Sequence, residues 1–440
     1  MIVKIKMPQL GQTSDEVKLI RWLVEVGQEI RQGQHICEVE TDKVTMELES
    51  SKVGKVLKLM FEPDSEIRTG EVIVIIDSKS TASSKKASAK KPEPAEEKIT
   101  KEVKSLSSGQ KKKILVETGF KKAIEMYRSM LKIREFEEAI KILFLEGKMP
   151  GTIHQYTGME ACAVGVCSAL EKNDVIASTH RPHGHAIARG LSLNEIMAEL
   201  YGKTTGCCRG KGGSMHVGDL EKGMLPAIAI VGGNLPIVGG MALAFKMRGE
   251  PRIAVSFFGD GASNEGAFHE ALNMAAIYNI PAIFVCENNL YGASTSIKQT
   301  LKLENIAQRV CAYGMRGDIA DGMNVLDVYS KAKIAADFAR QGNGPTLFEL
   351  KTFRLCGHSR RDPCNYMTKE EKLYWQAKDP ILAFEKLLLS EGILDEKSLK
   401  DIKDQVKKEI TGAVEFGQTS PEPDPLDTYS NLYVNMEVPQ

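Results

Sequence analysis

The sequence has no net charge, no C-x-x-C pair and no long apolar run free of helix breakers. Its 58 Lys+Arg are balanced by 58 Asp+Glu. Without a basic surplus a general nucleic-acid binder is not expected. The nine cysteines are odd in number, and Cys207 and Cys208 are adjacent. That pattern suits neither a disulfide framework nor a zinc ribbon, so reduced, mostly buried thiols in a cytoplasmic protein are expected. The opening Met1-Ile2-Val3-Lys4 alternates like a strand and lacks the apolar core of a secretory signal. The charge-free stretch 223–245 spans 23 residues, long enough for a bilayer. It holds five glycines, Pro226, Pro236 and Asn234, which exclude a membrane helix. It reads instead as a buried, glycine-rich segment followed by a helix from about Gly240.

What is present is enough apolar residue, 42% of 440, for two or three globular domains. The composition breaks sharply once. Segment 79–113 has 11 Lys and 4 Glu among Ser, Ala and Pro, with almost no large apolar residue. It cannot build a core and reads as a flexible linker; its interleaved glutamates and lack of aromatics argue against a nucleic-acid tail. Before it, residues 1–78 hold short apolar runs (2–7, 16–24, 36–40, 53–60, 72–76) separated by Gly, Pro and Asp turns. Glu29-Ile30-Arg31-Gln32-Gly33 returns as Glu66-Ile67-Arg68-Thr69-Gly70, an offset of 37. A small all-β unit of two similar halves is predicted. After the linker, 114–440 reads as α/β. Helical spacing covers 123–145 and 267–278, and apolar runs at 253–258 and 282–286 flank the second helix. That order predicts a parallel sheet with helices on both faces. Segment 379–416 is charged and helical in pattern.

In the small unit, Glu40-Thr41-Asp42-Lys43-Val44 follows a strand-like run and precedes another, which predicts Lys43 at the tip of a turn. The bland reading is an exposed surface lysine. Together with the repeat, the string resembles the lipoyl domain of the 2-oxo-acid dehydrogenase complexes. The resemblance implies a barrel-sandwich fold and lipoate carried covalently on Lys43. Biotin carriers place the lysine between methionines, whereas here it lies between Asp42 and Val44.

In the large unit, Gly259-Asp260-Gly261 follows a predicted strand, and Asn289 follows the next one 29 residues later. Both fall at the carboxyl edges of neighbouring parallel strands, where α/β sheets bind ligands. Asp and Asn oxygens are hard ligands suited to Mg²⁺, and the glycines and a following helix N-terminus suit a diphosphate. A Rossmann-type site or a plain turn would show a similar lone Gly-Asp-Gly. The full string Gly259-Asp260-Gly261-Ala262-Ser263-Asn264-Glu265-Gly266 with Glu287-Asn288-Asn289 resembles the thiamine-diphosphate motif in the alpha subunit of two-subunit 2-oxo-acid and acetoin dehydrogenases. The resemblance covers roughly 115–430. It implies that Asp260 and Asn289 bind Mg²⁺ by side chain and Tyr291 by its carbonyl, and that Gly261 and Ala262 lie against the cofactor. It also implies an active-site histidine at His154 within Gly151-Thr152-Ile153-His154-Gln155-Tyr156, and a diphosphate-holding arginine at Arg181. Main-chain contacts to the aminopyrimidine are implied at Ala229 and Val231, although the family usually has glycine where this chain has Ala229. His358, in Gly357-His358-Ser359, would line the site near the diphosphate; in some relatives the serine, here Ser359, is phosphorylated. His180, His183 and His185 have metal-like spacing, but Arg181 between them favours an anion-binding loop.

The implied activity cleaves acetoin or decarboxylates pyruvate, with a branched-chain 2-oxo acid as a further alternative, and passes the acyl group to lipoyl-lysine. His154 and His358 would be its catalytic histidines. The 327 residues from 114 onward carry one diphosphate-type half only. A beta subunit in an alpha-two beta-two heterotetramer, a lipoyl acyltransferase core and a dihydrolipoyl dehydrogenase are therefore expected partners, and neither a membrane nor a nucleic acid. The fused carrier departs from the usual alpha subunit. A linker of 35 residues has an r.m.s. span of about 30–35 Å, which places a tethered arm near its own active site at about millimolar effective concentration. The rival from another class is a lipoyl carrier or scaffold with a degenerate catalytic domain.

Overall fold

Alternation of apolar and polar residues divides the N-terminal unit into two four-stranded antiparallel sheets. The protein is described by a computed structural model covering residues 2–7, 16–31, 34–40, 45–50, 52–77 and 106–432. The strands are β1 (Ile2–Lys6), β2 (Glu16–Trp22), β3 (Glu29–Ile30), β4 (His35–Glu40), β5 (Thr45–Glu49), β6 (Gly54–Leu59), β7 (Glu66–Arg68) and β8 (Val72–Asp77). They pair as β1-β8-β6-β3 and β5-β4-β2-β7. The repeat becomes an internal two-fold relation: β2, β3 and β4 recur as β6, β7 and β8 in equivalent places of the other sheet. Ile30 and Ile67, the echoed isoleucines, are both buried in a common core with Leu19, Val39, Val56 and Val74. Glu40 of β4 pairs with Thr45 of β5. Residues 41–44, Lys43 among them, lie outside the described residues, as does most of the expected linker. The end of that linker differs from expectation. The Ser107 hydroxyl accepts from the Gln110 backbone N–H and the Ser107 backbone N–H donates to the Gln110 side chain, starting a helix over Ser108–Thr118. A capping box followed by lysines, which are good helix formers, and by the buried Leu115 accounts for it.

Residues 95–440 form a separate compact unit. Its sheet comprises β9 (Val175–Ala177), β10 (Ala254–Gly259), β11 (Ala282–Asn288), β14 (Arg316–Asp321) and β15 (Thr346–Lys351); a short hairpin, β12 (Tyr291–Gly292) and β13 (Thr295–Ser296), stands apart. The order is β14-β15-β11-β10-β9, parallel throughout. All but the edge strand β14 alternate between two cores. Val255, Phe257, Ile283, Val285 and Phe348 pack with helices Phe120–Leu145, Glu160–Ala169 and Val325–Arg340. Ala254, Phe258, Phe284, Cys286 and Leu347 pack with helices Asn234–Met247 and Gly266–Ile277. Burial on both faces explains the unbroken apolar runs of these strands. The charged C-terminal pattern resolves into two helices, Pro380–Ser390 and Glu396–Thr419, the second capped by Asp395.

The charge-free stretch 223–245 differs from the sequence expectation in two ways. Its helix starts at Asn234 and not near Gly240, because Pro236 falls in the first turn, where no backbone N–H is needed. Nor is it buried throughout: Ile230 and Val231 are 75% and 51% exposed. Among the described residues no helix is long and apolar enough to cross a membrane. All nine cysteines are free; four are buried, four half-buried and Cys311 exposed, so burial is less general than expected.

The separate core of the N-terminal unit yields a prediction. Leu19→Ala removes a fully buried side chain and is expected to cost about 2–5 kcal/mol. Calorimetry of the full chain should show the transition of the β unit falling while that of the α/β unit stays; a shift of both would contradict two independent cores.

Candidate functional site

Strands β10 and β11 end together, since Gly259 is the register partner of Glu287. Asp260 and the segment 288–293 therefore emerge side by side at the carboxyl edge of the sheet. Asp260 opens a 3-10 turn, Asp260–Asn264, and the helix begins only at Gly266, so the expected helix N-terminus does not directly follow the Gly-Asp-Gly string. The Asp260 carboxyl is buried, which pushes its pKa up to about 6, and its Oδ1 has no hydrogen-bond partner among the described residues. Across the edge, Asn288 Nδ2 donates to Glu349 at 2.7 Å and its Oδ1 accepts from the Leu290 N–H at 3.2 Å. Leu290 and Ala293 take left-handed φ values of 73° and 52°, a backbone cost of the kind concentrated at binding loops. Gly261 lies under the hairpin; a Cβ there would stand 3.2 Å from the Gly292 Cα. Arg354, 1% exposed, donates from Nε to Asn289 Oδ1 at 3.2 Å and from Nη2 to the Ala293 carbonyl at 2.9 Å, while its Nη1 is unpartnered.

Three imidazoles face one another on the opposite wall. Ring centroids lie 4.8 Å apart for His154–His180, 5.0 Å for His154–His358 and 5.2 Å for His180–His358. Burial, and next the Arg181 guanidinium, lowers their pKa values to about 3, 2 and 4 for His154, His180 and His358. All three are neutral at physiological pH. Arg181 is itself buried, which lowers its pKa to about 10 and leaves it charged. It donates from Nη1 to the Gln155 carbonyl and from Nη2 to the His358 carbonyl at 3.0 Å.

His183 and His185, by contrast, turn into the core. His183 bridges Glu137 and Ser214, each at 3.0 Å. His185 contacts Ser178 at 2.8 Å and Glu287 at 3.1 Å, and the Tyr156 hydroxyl donates to the same Glu287 carboxylate. These contacts anchor the helix His183–Arg189 on two sides and so aim His180 and Arg181. Gly184, between them, admits the Tyr156 ring; a Cβ there would fall 2.2 Å from a ring carbon. Metal-like sequence spacing thus did not predict the histidine cluster. The three that gather come from three distant segments.

A cavity of about 470 Å³ opens between these walls, within the usual range for cofactor sites. It is lined by every site residue expected in this unit: His154, Arg181, Ala229, Val231, Asp260, Gly261, Ala262, Asn289, Tyr291 and His358. Lys43 lies outside the described residues. Glu287 and Arg354, given no role by the sequence, and His180, weighed there only for its metal-like spacing, also line it. Glu287 stood inside a quoted string, while Arg354 offered no local signal. Also missed was Glu199, a fully buried carboxylate that accepts four backbone N–H bonds, from Cys208, Gly210, Gly212 and Gly213, at 2.8–3.0 Å. It organises the glycine-rich loop that carries Met215 to the cavity wall.

With this geometry in view, residues 128–426 match the family described as Dehydrogenase E1 component. The chain belongs to that family. It is therefore an oxidoreductase of the thiamine-diphosphate-dependent E1 type, an alpha chain that works with a beta subunit. Residues 3–76 match the family described as Biotin-requiring enzyme, the biotin and lipoyl carrier fold. The acetoin:2,6-dichlorophenolindophenol oxidoreductase alpha subunit of Bacillus subtilis is 46% identical over 317 residues, covering 72% of this chain and 95% of that protein. Its namesake from Cupriavidus necator is 41% identical, covering 71% and 94%. The chloroplastic pyruvate dehydrogenase E1 alpha-3 subunit of Arabidopsis thaliana is 41% identical, covering 71% and 74%.

Two outcomes are expected. Each imidazole's pKa is lower folded than unfolded, so below pH 6.5 the unfolded chain binds more protons and stability falls as the pH falls; the share of His358 is spent near pH 4, and those of His154 and His180 continue to about 3 and 2. His358→Asn should flatten that slope in denaturant titrations of cofactor-free protein; an unaltered slope would refute the assignment. Gly184→Ala should cost about 1–3 kcal/mol by overpacking against Tyr156, read as a lower melting temperature of the α/β unit.

Proposed function

We propose that the chain is the alpha subunit of an alpha-two beta-two dehydrogenase that cleaves acetoin and reductively acylates lipoate on its own Lys43. The observation that carries this reading is one cavity combining a buried carboxylate, whose Oδ1 has no partner among the described residues, with two arginines and three neutral imidazoles. Named relatives in two bacteria act on acetoin. Oxidative decarboxylation of pyruvate is the second reading, favoured by relatives named for it at 41% and 40% identity. A degenerate scaffold is disfavoured by the intact set of polar groups around the cavity. The division into a carrier over 1–78, a linker and a catalytic unit from 114 belongs to this reading. So does a reducing, cytoplasmic setting, supported by the free cysteines.

The residues fit the cofactor and its ion. Asp260 Oδ1 lacks a partner, and Asn289 Oδ1 and the Tyr291 carbonyl lie at the same edge, a hard-oxygen set suited to Mg²⁺ with phosphate completing the shell. Arg181 and Arg354 supply positive charge for the diphosphate, and the backbones of Gly261 and Ala262 allow its approach. The main chain at Ala229 and Val231, which line the cavity, would hold the aminopyrimidine. Bound thiamine diphosphate supplies a carbon nucleophile that lets a bond beside a carbonyl break. Neutral His154 and His358 donate hydrogen bonds to the substrate oxygen and move its proton, which imidazolium neighbours could not accept. Met159, Met215 and Ile228 furnish the apolar walls that keep water out. Glu40 and Thr45, which flank Lys43 in sequence, pair directly across the ends of β4 and β5. The acyltransferase core and dihydrolipoyl dehydrogenase complete the cycle.

Dye reduction by the chain with its native beta partner, Mg²⁺ and thiamine diphosphate tests the reading. Faster turnover of acetoin than pyruvate is expected, and the reverse order would assign the second reading. Lys43→Ala should retain dye reduction, which bypasses the arm, and lose flux to acyl-CoA; undiminished flux would remove the arm from the scheme. Cofactor and Mg²⁺ at 100-fold above Kd should stabilise the protein by about 2.7 kcal/mol. Asp260→Asn should abolish that gain without lowering the stability of the cofactor-free protein.

A further inference from the structure

We infer that His154, His180 and His358 form a second metal site, one that takes a borderline-soft divalent ion such as Zn²⁺ and is separate from the oxygen ligands Asp260 and Asn289. One ring nitrogen from each histidine lies within 4.8 Å of the other two. Tetrahedral ligands at 2.0–2.1 Å from zinc stand about 3.4 Å apart, so small side-chain rotations close the site. None of the three imidazoles has a hydrogen-bond partner among the described residues, and His154 Nδ1 is buried without one. Their nitrogen lone pairs are therefore uncommitted, and burial keeps the rings unprotonated at neutral pH. Metal binding needs that state.

The ligand chemistry selects the ion. Three imidazoles suit zinc, copper, nickel or cobalt and not magnesium, which prefers oxygen. Three protein ligands leave a fourth position open, and it faces the cavity. The Arg181 guanidinium, held against the His358 carbonyl, favours an anion such as hydroxide or chloride there. Asp260 and Glu287 in the same cavity offset part of the repulsion between the ion and the arginines. Because the proposed reading assigns His154 and His358 to the cofactor site, an ion held by them competes with the cofactor, so the site is inhibitory. That consequence rests on the proposed cofactor reading; the binding itself does not.

Co²⁺ is the probe. It is titrated into the untagged full chain after removal of cofactor and Mg²⁺ with a chelator. The intense visible bands of four-coordinate cobalt are expected, saturating at one equivalent per chain and bleached by equimolar Zn²⁺. They should vanish in His180→Asn and in His358→Asn, each verified as folded by circular dichroism. They should persist in the doubly substituted Cys207→Ser, Cys208→Ser chain, which dismantles the alternative Glu199, Cys207 and Cys208 cluster. Absence of saturable bands, or bands that survive both histidine substitutions, would overturn the site. Thiamine diphosphate with Mg²⁺, added first, should block cobalt at least tenfold. Cobalt bound to the histidines but indifferent to bound cofactor would leave the metal site standing and displace the cofactor reading.

Discussion

A guanidinium buried in the cavity wall holds the site together. Arg181 reaches the Gln155 carbonyl with one amino group and the His358 carbonyl with the other. A buried charge must be met by polar groups or it costs several kcal/mol. These two carbonyls meet it, and in doing so they bring the segments carrying His154 and His358 to the segment carrying His180. The same charge helps keep the three imidazoles neutral. Arg181 thus acts on position and, second to burial, on protonation state. Behind Arg181, the carboxylates of Glu137 and Glu287 grip His183 and His185, so the guanidinium is aimed from two sides by groups that never line up in sequence.

The opposite wall works by desolvation. Asp260 is carried into the cavity by the end of a strand buried on both faces, and that burial raises its pKa. Ionised Asp260 opposes folding above its folded pKa, and a bound cation relieves that cost. Arg354 partly balances the charge of this edge while holding Asn289 and the Ala293 carbonyl. The site is therefore strained toward its ligand in two independent ways: one buried carboxylate oxygen, Asp260 Oδ1, without a partner among the described residues, and a left-handed turn through Leu290 and Ala293.

Much of this was legible beforehand. The 37-residue echo became an internal two-fold because strand pairs that share a pattern share a register, and Ile30 and Ile67 fill matching places. The strand–helix–strand order around Asp260 required a parallel sheet, and parallel pairing brings both strand ends to one edge. Other features were not legible. The helix over Ser108–Thr118 sits in a lysine-rich stretch whose composition reads as linker, and only its capping box and Leu115 mark it. Segment 223–245 reads as buried because it lacks charge, yet Ile230 and Val231 face outward; hydropathy reports what a residue tolerates, not what covers it. Glu199 resembled any helix-face glutamate until a glycine-rich loop folded its N–H groups onto it.

The sequence by itself determined the two units, their fold classes, the family and the chemistry-bearing strings, because periodicity, spacing and short motifs are local properties. Only the tertiary structure decided which histidines meet. His180, His183 and His185 are neighbours in sequence, but helical geometry sends two of them into the core toward different carboxylates. His154, His180 and His358, up to 204 residues apart, converge because a single buried guanidinium must find its acceptors on two other loops. Burial, and with it the protonation state of every group in the cavity, follows from that convergence and is written in no single stretch of the chain.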